Sequence, residues 1–87
     1  MLEPTTVKSV RTNIGKLIKL LRKQDRLTQE QLAERLGLSR MTIKNIEAGQ
    51  NATLETLFKI LKHFDILENF AGLINDEISN RQYDSLY

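Results

Sequence analysis

The length, composition and charge of this chain exclude several classes of protein before any motif is considered. Its 87 residues, 40% hydrophobic and 28% charged, predict one small globular domain rather than a disordered or multidomain protein. The sequence contains no cysteine, which excludes disulfides and thiolate metal sites and is typical of a reducing compartment. The N-terminal residues lack the pattern of a signal peptide, and no apolar run approaches the roughly 18 residues that span a bilayer. We therefore expect a cytoplasmic protein.

Charge is distributed unevenly along the chain, although the formal net charge is only +2. Between residues 8 and 26, seven lysine and arginine side chains are opposed by a single acid, Asp25. From residue 65 onward, five acidic residues are opposed by Arg81 alone. A basic N-terminal part suits a nucleic-acid partner, and an acidic C-terminal part suits a different surface. Because charge runs are also typical of solvated helix faces, this pattern alone leaves both interpretations open.

Hydrophobic periodicity predicts a first helix over about residues 8–24. Five aliphatic residues recur there at helical spacing and share one side of the helix: Val10, Ile14, Leu17, Ile18 and Leu21. We expect this stripe to face the core.

Two short helices joined by a tight turn are predicted next. Thr28 and Gln31 have the spacing of a capping box, which indicates a helix over residues 29–36. Gly37 follows, where a helix end needs positive φ, and Ser39 can cap another helix over residues 40–48. Two helices around a glycine-containing turn form the helix-turn-helix unit, whose second helix enters the DNA major groove.

The outer face of that second helix distinguishes it from an ordinary helical hairpin. Ile43 and Ile46 are expected to point inward, whereas Arg40, Lys44 and Asn45 remain on the outside. A hairpin with a purely structural role would have no reason to carry these three side chains together. The pattern favours a DNA-reading helix.

The remaining chain predicts two more helices and a tail. Thr53 caps a fourth helix over residues 54–63, whose apolar side chains are expected to supply much of the core: Leu54, Leu57, Phe58, Ile60 and Leu61, with Phe64 just beyond. A fifth helix over about residues 67–78 aligns Leu67, Phe70, Ile74 and Ile78 on one side. Residues 80–87 lack periodicity and are expected to form a mobile tail. The predicted fold is therefore all-α, a compact five-helix domain.

Residues 12–66 resemble helix-turn-helix regulators of the Cro/phage-repressor type, the XRE family. The matching positions include Ile14, Leu21-Arg22-Lys23, Leu27-Thr28-Gln29, Glu30-Gln31-Leu32-Ala33, Leu36-Gly37-Leu38-Ser39, Thr42-Ile43, Ile46-Glu47, Gly49 and Thr53-Leu54-Glu55-Thr56-Leu57. The chain departs from the family at Arg26, where glycine is usual. A left-handed backbone there would cost about 1–2 kcal/mol, unless the first helix ends differently.

The resemblance implies a lambda-repressor-like fold and specific roles for the candidate residues. In the family, positions equivalent to Arg40, Met41 and Asn45 reach base edges, and Lys44 would reach a base or a phosphate. Gln29 occupies a position that anchors to a phosphate. The further residues expected to contact phosphates or position the helices are Thr28, Ser39, Thr42, Gln50 and Asn51. Glu47 is expected to be structural.

The resemblance also bears on domains and partners. Residues 1–79 are expected to form the DNA-binding domain, with the helix-turn-helix at 28–48, a dimerisation helix at about 66–79, and a tail at 80–87. Proteins of this type generally dimerise on pseudo-palindromic operators, and the Leu67, Phe70, Ile74 and Ile78 stripe is the expected interface. The same stripe could instead close the chain's own core.

Within the family, the chain is similar to HipB-like antitoxins, which repress their own operon and bind a kinase-fold toxin. Its alternatives are a phage Cro-like repressor, a restriction–modification controller protein, and an interaction module that only neutralises a partner. No enzyme is expected, because His63 is the only histidine and no nucleophile, base or metal-ligand spacing accompanies it. No cofactor or metal site is predicted.

Overall fold

The computed structural model describes residues 4–85, with side chains described for residues 4–82. It contains five α-helices and no strand in that range, which confirms the predicted all-α fold. The helices are α1 (Val7–Gln24), α2 (Gln29–Leu36), α3 (Arg40–Glu47), α4 (Leu54–His63) and α5 (Leu67–Ser85). For α1 to α4 the predicted ends lie within one residue of those observed.

The helix ends form for the local reasons that the sequence indicated. The backbone N–H of Gln31 donates to the Thr28 hydroxyl at 3.0 Å, and the Thr28 N–H donates to the Gln31 side chain at 2.9 Å. This reciprocal pair is the predicted capping box. Gly37 then adopts φ of 67°, so the chain leaves α2 in a left-handed turn and starts α3 three residues later. The turn thereby fixes the angle between the two helices.

The core lies where α1 to α4 meet. Each of these helices contributes one fully buried aliphatic side chain: Ile18, Leu32, Ile43 and Ile60. Not every predicted core position is buried, however. Val10, Leu17 and Leu54 are 45%, 42% and 68% exposed, so their predicted burial is wrong. The helical period groups side chains on one side of a helix but does not show how much of that side another element covers.

α1 approaches the end of α3 unusually closely at Gly15. A Cβ atom at Gly15 would lie 2.4 Å from the carbonyl oxygen of Ile46 and 2.8 Å from that of Glu47. Both contacts are shorter than side chains tolerate against backbone, so only glycine fits without moving α3. Gly15 therefore sets the distance between α1 and the C-terminal end of α3.

The turn between α1 and α2 carries the departure from the family pattern. Arg26 has φ of 57°, which is the left-handed conformation that glycine adopts without penalty. Its backbone N–H donates to the carbonyl of Lys23 at 3.0 Å, which closes the turn. The structure thus keeps the turn and accepts the conformational cost of a residue with a Cβ atom.

α5 is longer than predicted and extends away from the other helices. It runs to Ser85, so the predicted helix end near Ile78 and the irregular tail from Asn80 are wrong; Leu86 and Tyr87 lie outside the described residues. Its first half packs on α4, where the rings of Phe58 and Phe70 lie 5.4 Å apart. The domain therefore measures 52 Å along its longest axis but only 22 Å along its shortest.

We expect Gly15→Ala to lower the free energy of unfolding by about 1–3 kcal/mol, because the added methyl group would push against the backbone of α3. Gly72→Ala is the matched control, since Gly72 lies in exposed α5 with no atom within 4 Å of an added Cβ. It should raise stability by about 0.5–1 kcal/mol through helix propensity. Urea denaturation of both variants measures the difference, and equal stabilisation by the two substitutions would contradict the close approach.

Candidate nucleic-acid interface

The outer face of α3 presents the four side chains predicted to read bases. Arg40, Met41 and Lys44 are exposed, and Asn45 is half-buried. Ile43 and Ile46, on the opposite side, are 0% and 3% exposed and anchor the helix in the core. The four side chains therefore lie together on a helix face that contacts nothing in the core. Their contact with bases remains a prediction.

Both ends of α3 are held by hydrogen bonds. The Ser39 hydroxyl accepts from the backbone N–H of Thr42 at 3.1 Å, and the two hydroxyl oxygens lie 2.8 Å apart. At the other end, the N–H of Gln50 donates to the carbonyl of Asn45 at 3.0 Å. The hydroxyls of Thr28, Ser39 and Thr42 therefore have structural partners within the chain, and a role in phosphate contact is a separate prediction.

A buried ion pair joins α1 to the C-terminal end of α3. Nε of Arg22 donates to Oε2 of Glu47 at 2.6 Å, and Nη2 donates to Oε1 at 2.9 Å. A third donor of the same guanidinium, Nη1, bonds to the carbonyl of Leu27 at 2.8 Å. Arg22 therefore ties together α1, the turn before α2, and α3. The expectation that Glu47 is structural agrees with this geometry.

The protonation behaviour of the pair follows from its surroundings. Burial would raise the pKa of Glu47, but the hydrogen bonds from Arg22 and Gln29 and the charges of Arg22 and Lys19 outweigh burial and lower it. The pKa of Arg22 is raised, chiefly by its hydrogen bond to Glu47. Because Glu47 has a lower pKa when folded, its stabilising effect is complete above the ordinary glutamate pKa of about 4.3 and is lost as the pH falls through the folded-state value.

Arg22 is one of the seven basic residues between positions 8 and 26, but its side chain is not part of the basic surface. The residue is only 7% exposed, and its charge is matched by Glu47. A sequence signal for this was present, because Arg22 continues the i, i+4 series of Ile14 and Ile18 toward the core. Glu47 likewise lies four residues after Ile43. When two helices each carry a charged residue on the apolar side, and the two charges are opposite, a buried ion pair is indicated.

Gln29 lies beside this ion pair at the start of α2. Its Nε2 donates to Oε1 of Glu47 at 3.1 Å, which fixes the orientation of the side-chain amide. Gln29 and Arg40 also line the same open cleft of about 410 Å³. The structure thus brings the predicted phosphate-anchoring residue close to the first predicted base-reading residue.

The loop between α3 and α4 is braced by a side chain that the sequence did not single out. Nε of Arg11 donates to the carbonyl of Gly49 at 2.7 Å, and Nη1 donates to Oδ1 of Asn51 at 3.0 Å. Gln50 and Asn51, both predicted phosphate contacts, are exposed next to this brace. Arg11 could not be found by local pattern, since its partners are 38 and 40 residues away.

The predicted dimerisation stripe on α5 is largely uncovered. Leu67 is half-buried, whereas Phe70, Ile74 and Ile78 are 38%, 44% and 48% exposed. Leu73, outside the stripe, is also exposed. Because Phe70 packs on Phe58 of α4, the alternative interpretation, in which this stripe closes the chain's own core, holds for Leu67 and Phe70 and is wrong for Ile74 and Ile78.

Within residues 4–82, no three histidine, aspartate or glutamate residues come together in a way that could hold a metal ion. None of the five described helices is long and apolar enough to cross a membrane.

Comparison with known proteins agrees with this geometry. A family model described as "Helix-turn-helix" matches residues 18–68, more than half of the chain. Antitoxin HipB of Escherichia coli K12 is 39% identical over 56 residues, which cover 63% of this chain and 64% of HipB. An uncharacterised HTH-type transcriptional regulator of Methanocaldococcus jannaschii is 46% identical over 50 residues, 56% of this chain and 76% of that protein.

A second HipB, from Escherichia coli strain CFT073, is 38% identical over 56 residues. The chain spans 64% and 60% of the lengths of the two antitoxins, less than two thirds of each. Among solved structures, one chain of "Structure of HipA-HipB-O2-O3 complex" superposes with a TM-score of 0.57 and 33% identity. That match covers 76% of this chain and 89% of the other.

Proposed function

The chain belongs to the helix-turn-helix family, and we propose that it is a sequence-specific repressor that binds an operator as a homodimer. Membership confirms the resemblance read from residues 12–66, and we infer from it a DNA-binding regulator without enzymatic activity. The observation that carries the proposal is the face of α3, where exposed polar side chains lie on a helix that is capped and anchored on its other side.

Each residue of that face suits a different contact with a base. Arg40 can donate two parallel hydrogen bonds to O6 and N7 of guanine, and Asn45 can pair with N6 and N7 of adenine. Met41, 59% exposed, offers an apolar surface for a thymine methyl group. Lys44 can reach a base or a phosphate. Their common side on α3 lets a single major groove receive all four.

Contacts to the DNA backbone would position this face without reading sequence. Gln29 retains one amide hydrogen and its backbone N–H at the start of α2, and these two donors suit a phosphate. Thr28, Ser39 and Thr42 lie at the first turns of α2 and α3, and Gln50 and Asn51 lie in the loop after α3. These residues are the proposed positioning set.

The homodimer is supported by the uncovered apolar side of α5. A single helix-turn-helix domain reads few base pairs, so two copies related by a two-fold axis are needed to read a pseudo-palindrome. Leu67, Phe70, Ile74 and Ile78 would meet the same residues of a second chain, as a two-fold interface requires.

A toxin partner and autorepression are supported by the relatives. Two of them are antitoxins, and the solved neighbour is part of a HipA-HipB-O2-O3 complex. We therefore assign this chain to a HipA-like kinase toxin operon in the cytoplasm, with the toxin bound away from α3. The similarity to HipB favours this role over a phage or restriction–modification regulator.

Arg40→Ala should weaken binding to an operator selected from random-sequence DNA by about 1–3 kcal/mol and relax the preference at one base pair of each half-site. Binding selections with the variant would reveal the altered motif. Arg35→Ala, which removes an exposed arginine from α2 instead of α3, is the matched control and should leave the motif unchanged. Unchanged motifs and affinities for both Arg40→Ala and Asn45→Ala would contradict the assignment of α3.

Ile74→Asp combined with Ile78→Asp should give a folded monomer without cooperative operator binding, because both side chains are exposed in one chain and two charges would be buried in the interface. The control Asn69→Asp with Asn80→Asp adds the same charge to the opposite side of α5 and should remain dimeric. Sedimentation with and without DNA measures both. The expected operator has half-site centres about 10 bp apart. A wild-type protein that stays monomeric at micromolar concentration with and without DNA would refute the dimer.

A tagged full-length chain expressed in its native host should retain a stoichiometric kinase-fold protein, identified by mass spectrometry. Arg40→Ala should retain the same partner, because the proposed toxin surface lies away from α3. A chain truncated before Asn80 tests whether the end of α5 takes part. Recovery of no stoichiometric partner by the full-length chain would favour a stand-alone repressor.

A further inference from the structure

We infer that Arg11 is a binding residue for a backbone phosphate of DNA, held in place by the loop between α3 and α4. This inference rests on the proposed DNA-binding function and adds to it a cationic contact from α1. The loop residues 50–53 contain no lysine or arginine, although two of them are proposed phosphate contacts. Arg11 supplies the charge that the loop itself lacks.

The hydrogen bonds of Arg11 leave its charge available. Its two partners, the carbonyl oxygen of Gly49 and the side-chain oxygen of Asn51, are both neutral. Neither of the two side-chain ion pairs found in residues 4–82 includes Arg11. A guanidinium has five N–H donors, and two are used here, so three remain for an anion. Arg22 contrasts with Arg11, because Glu47 already neutralises it.

The position of the Arg11 side chain is also restricted. Arg11 lines an open groove of about 570 Å³ whose walls include Val10, Ile14 and Leu57. Its aliphatic part can lie along this apolar surface while the guanidinium stays at the edge. Because the groove and the two hydrogen bonds hold the side chain in the free protein, less conformational freedom is lost when it binds an anion.

The bond to Asn51 orders the loop as well. With Oδ1 accepting from Arg11, the Asn51 amide group Nδ2 is left as a donor on an exposed side chain. Arg11 and Asn51 therefore present N–H donors from one short stretch of surface. Together they form a composite site for a phosphate oxygen, with the charge contributed by Arg11.

The site lies next to the proposed base-reading helix. Gly49 and Gln50 directly follow α3, and the N–H of Gln50 donates to the carbonyl of Asn45. An eight-residue helix is about 12 Å long, similar to the major-groove width of about 12 Å. A duplex that receives α3 therefore has a phosphate strand close to the loop that Arg11 braces.

The test compares Arg11→Gln with Arg11→Lys on a duplex selected from random-sequence DNA by the wild-type protein. Glutamine can still donate to the loop but has no charge, whereas lysine keeps the charge and loses the paired geometry. For each phosphate that a protein contacts, a rise in salt concentration from 50 to 200 mM lowers the DNA affinity by a further factor of about 3.5. Arg11→Gln should therefore reduce the slope of log affinity against log salt by about one, on specific and unrelated duplexes alike, while Arg11→Lys should keep the wild-type slope.

Lys62→Gln is the matched control for net charge, since Lys62 is exposed near the far end of α4. It should leave the slope unchanged. If Arg11→Gln and Arg11→Lys lose the same affinity and both keep the wild-type salt slope, Arg11 is only a structural brace. That result would overturn this inference and leave the proposed DNA-binding function standing. A wild-type protein that selects no duplex would overturn the proposed function and the inference together.

Discussion

The buried ion pair between Arg22 and Glu47 is the interaction on which the presentation of α3 depends. It joins the end of α1 to the end of α3, and its third bond, to Leu27, fixes the turn that leads into α2. Breaking such a pair by removing one partner leaves a buried charge and typically costs about 3–5 kcal/mol. The close approach of Gly15 to the carbonyls of Ile46 and Glu47 acts on the same end of α3. Two features of α1, one electrostatic and one steric, therefore set the position of the candidate reading helix.

Some of the basic side chains of this small domain are neutralised inside it, whereas others keep a charge that can bind a partner. The charge of Arg22 is neutralised by Glu47 in the core, whereas the charge of Arg11 is not neutralised because only neutral oxygens accept its hydrogen bonds. Arg40 and Lys44 stay exposed on α3. α5, which extends from the other helices, carries four acidic residues and one basic residue. Like charges on the DNA and on α5 would favour an orientation that turns α5 away from the duplex.

The sequence predicted α1 to α4 well because their ends depend on local chemistry. Thr28, Gly37, Ser39 and Thr53 each act within three or four residues of their own position, and such short-range effects can be read from spacing. Arg26 illustrates the limit of that reading. Its residue type gave no sign of a left-handed backbone, and only the departure from the family pattern raised the possibility.

Contacts between distant residues and between α5 and its surroundings could not be predicted in the same way. Arg11 and Arg22 appear equivalent in a list of basic residues, but the partners that distinguish them, Gly49 and Asn51 for Arg11 and Glu47 for Arg22, lie 25 to 40 positions away. Beyond Ile78, α5 continues without an apolar stripe, since no glycine or proline interrupts it and Arg81 pairs with Glu77 one turn earlier at 3.4 Å. Periodicity finds helices that bury a face, and therefore missed the solvated end of this one. Val10, Leu17 and Leu54 were predicted to be buried but are exposed, because burial requires a second element to cover a side chain and residue spacing does not show whether one does.

The central claim is that the anchored helix α3 reads base edges in the major groove. Methylation interference on a duplex selected by the wild-type protein tests it most directly, because dimethyl sulfate modifies guanine at N7 in the major groove and adenine at N3 in the minor groove. The account predicts that methylation of guanine N7 abolishes binding at symmetric positions in both half-sites. Interference confined to adenine N3, with no effect of guanine N7 methylation, would contradict it.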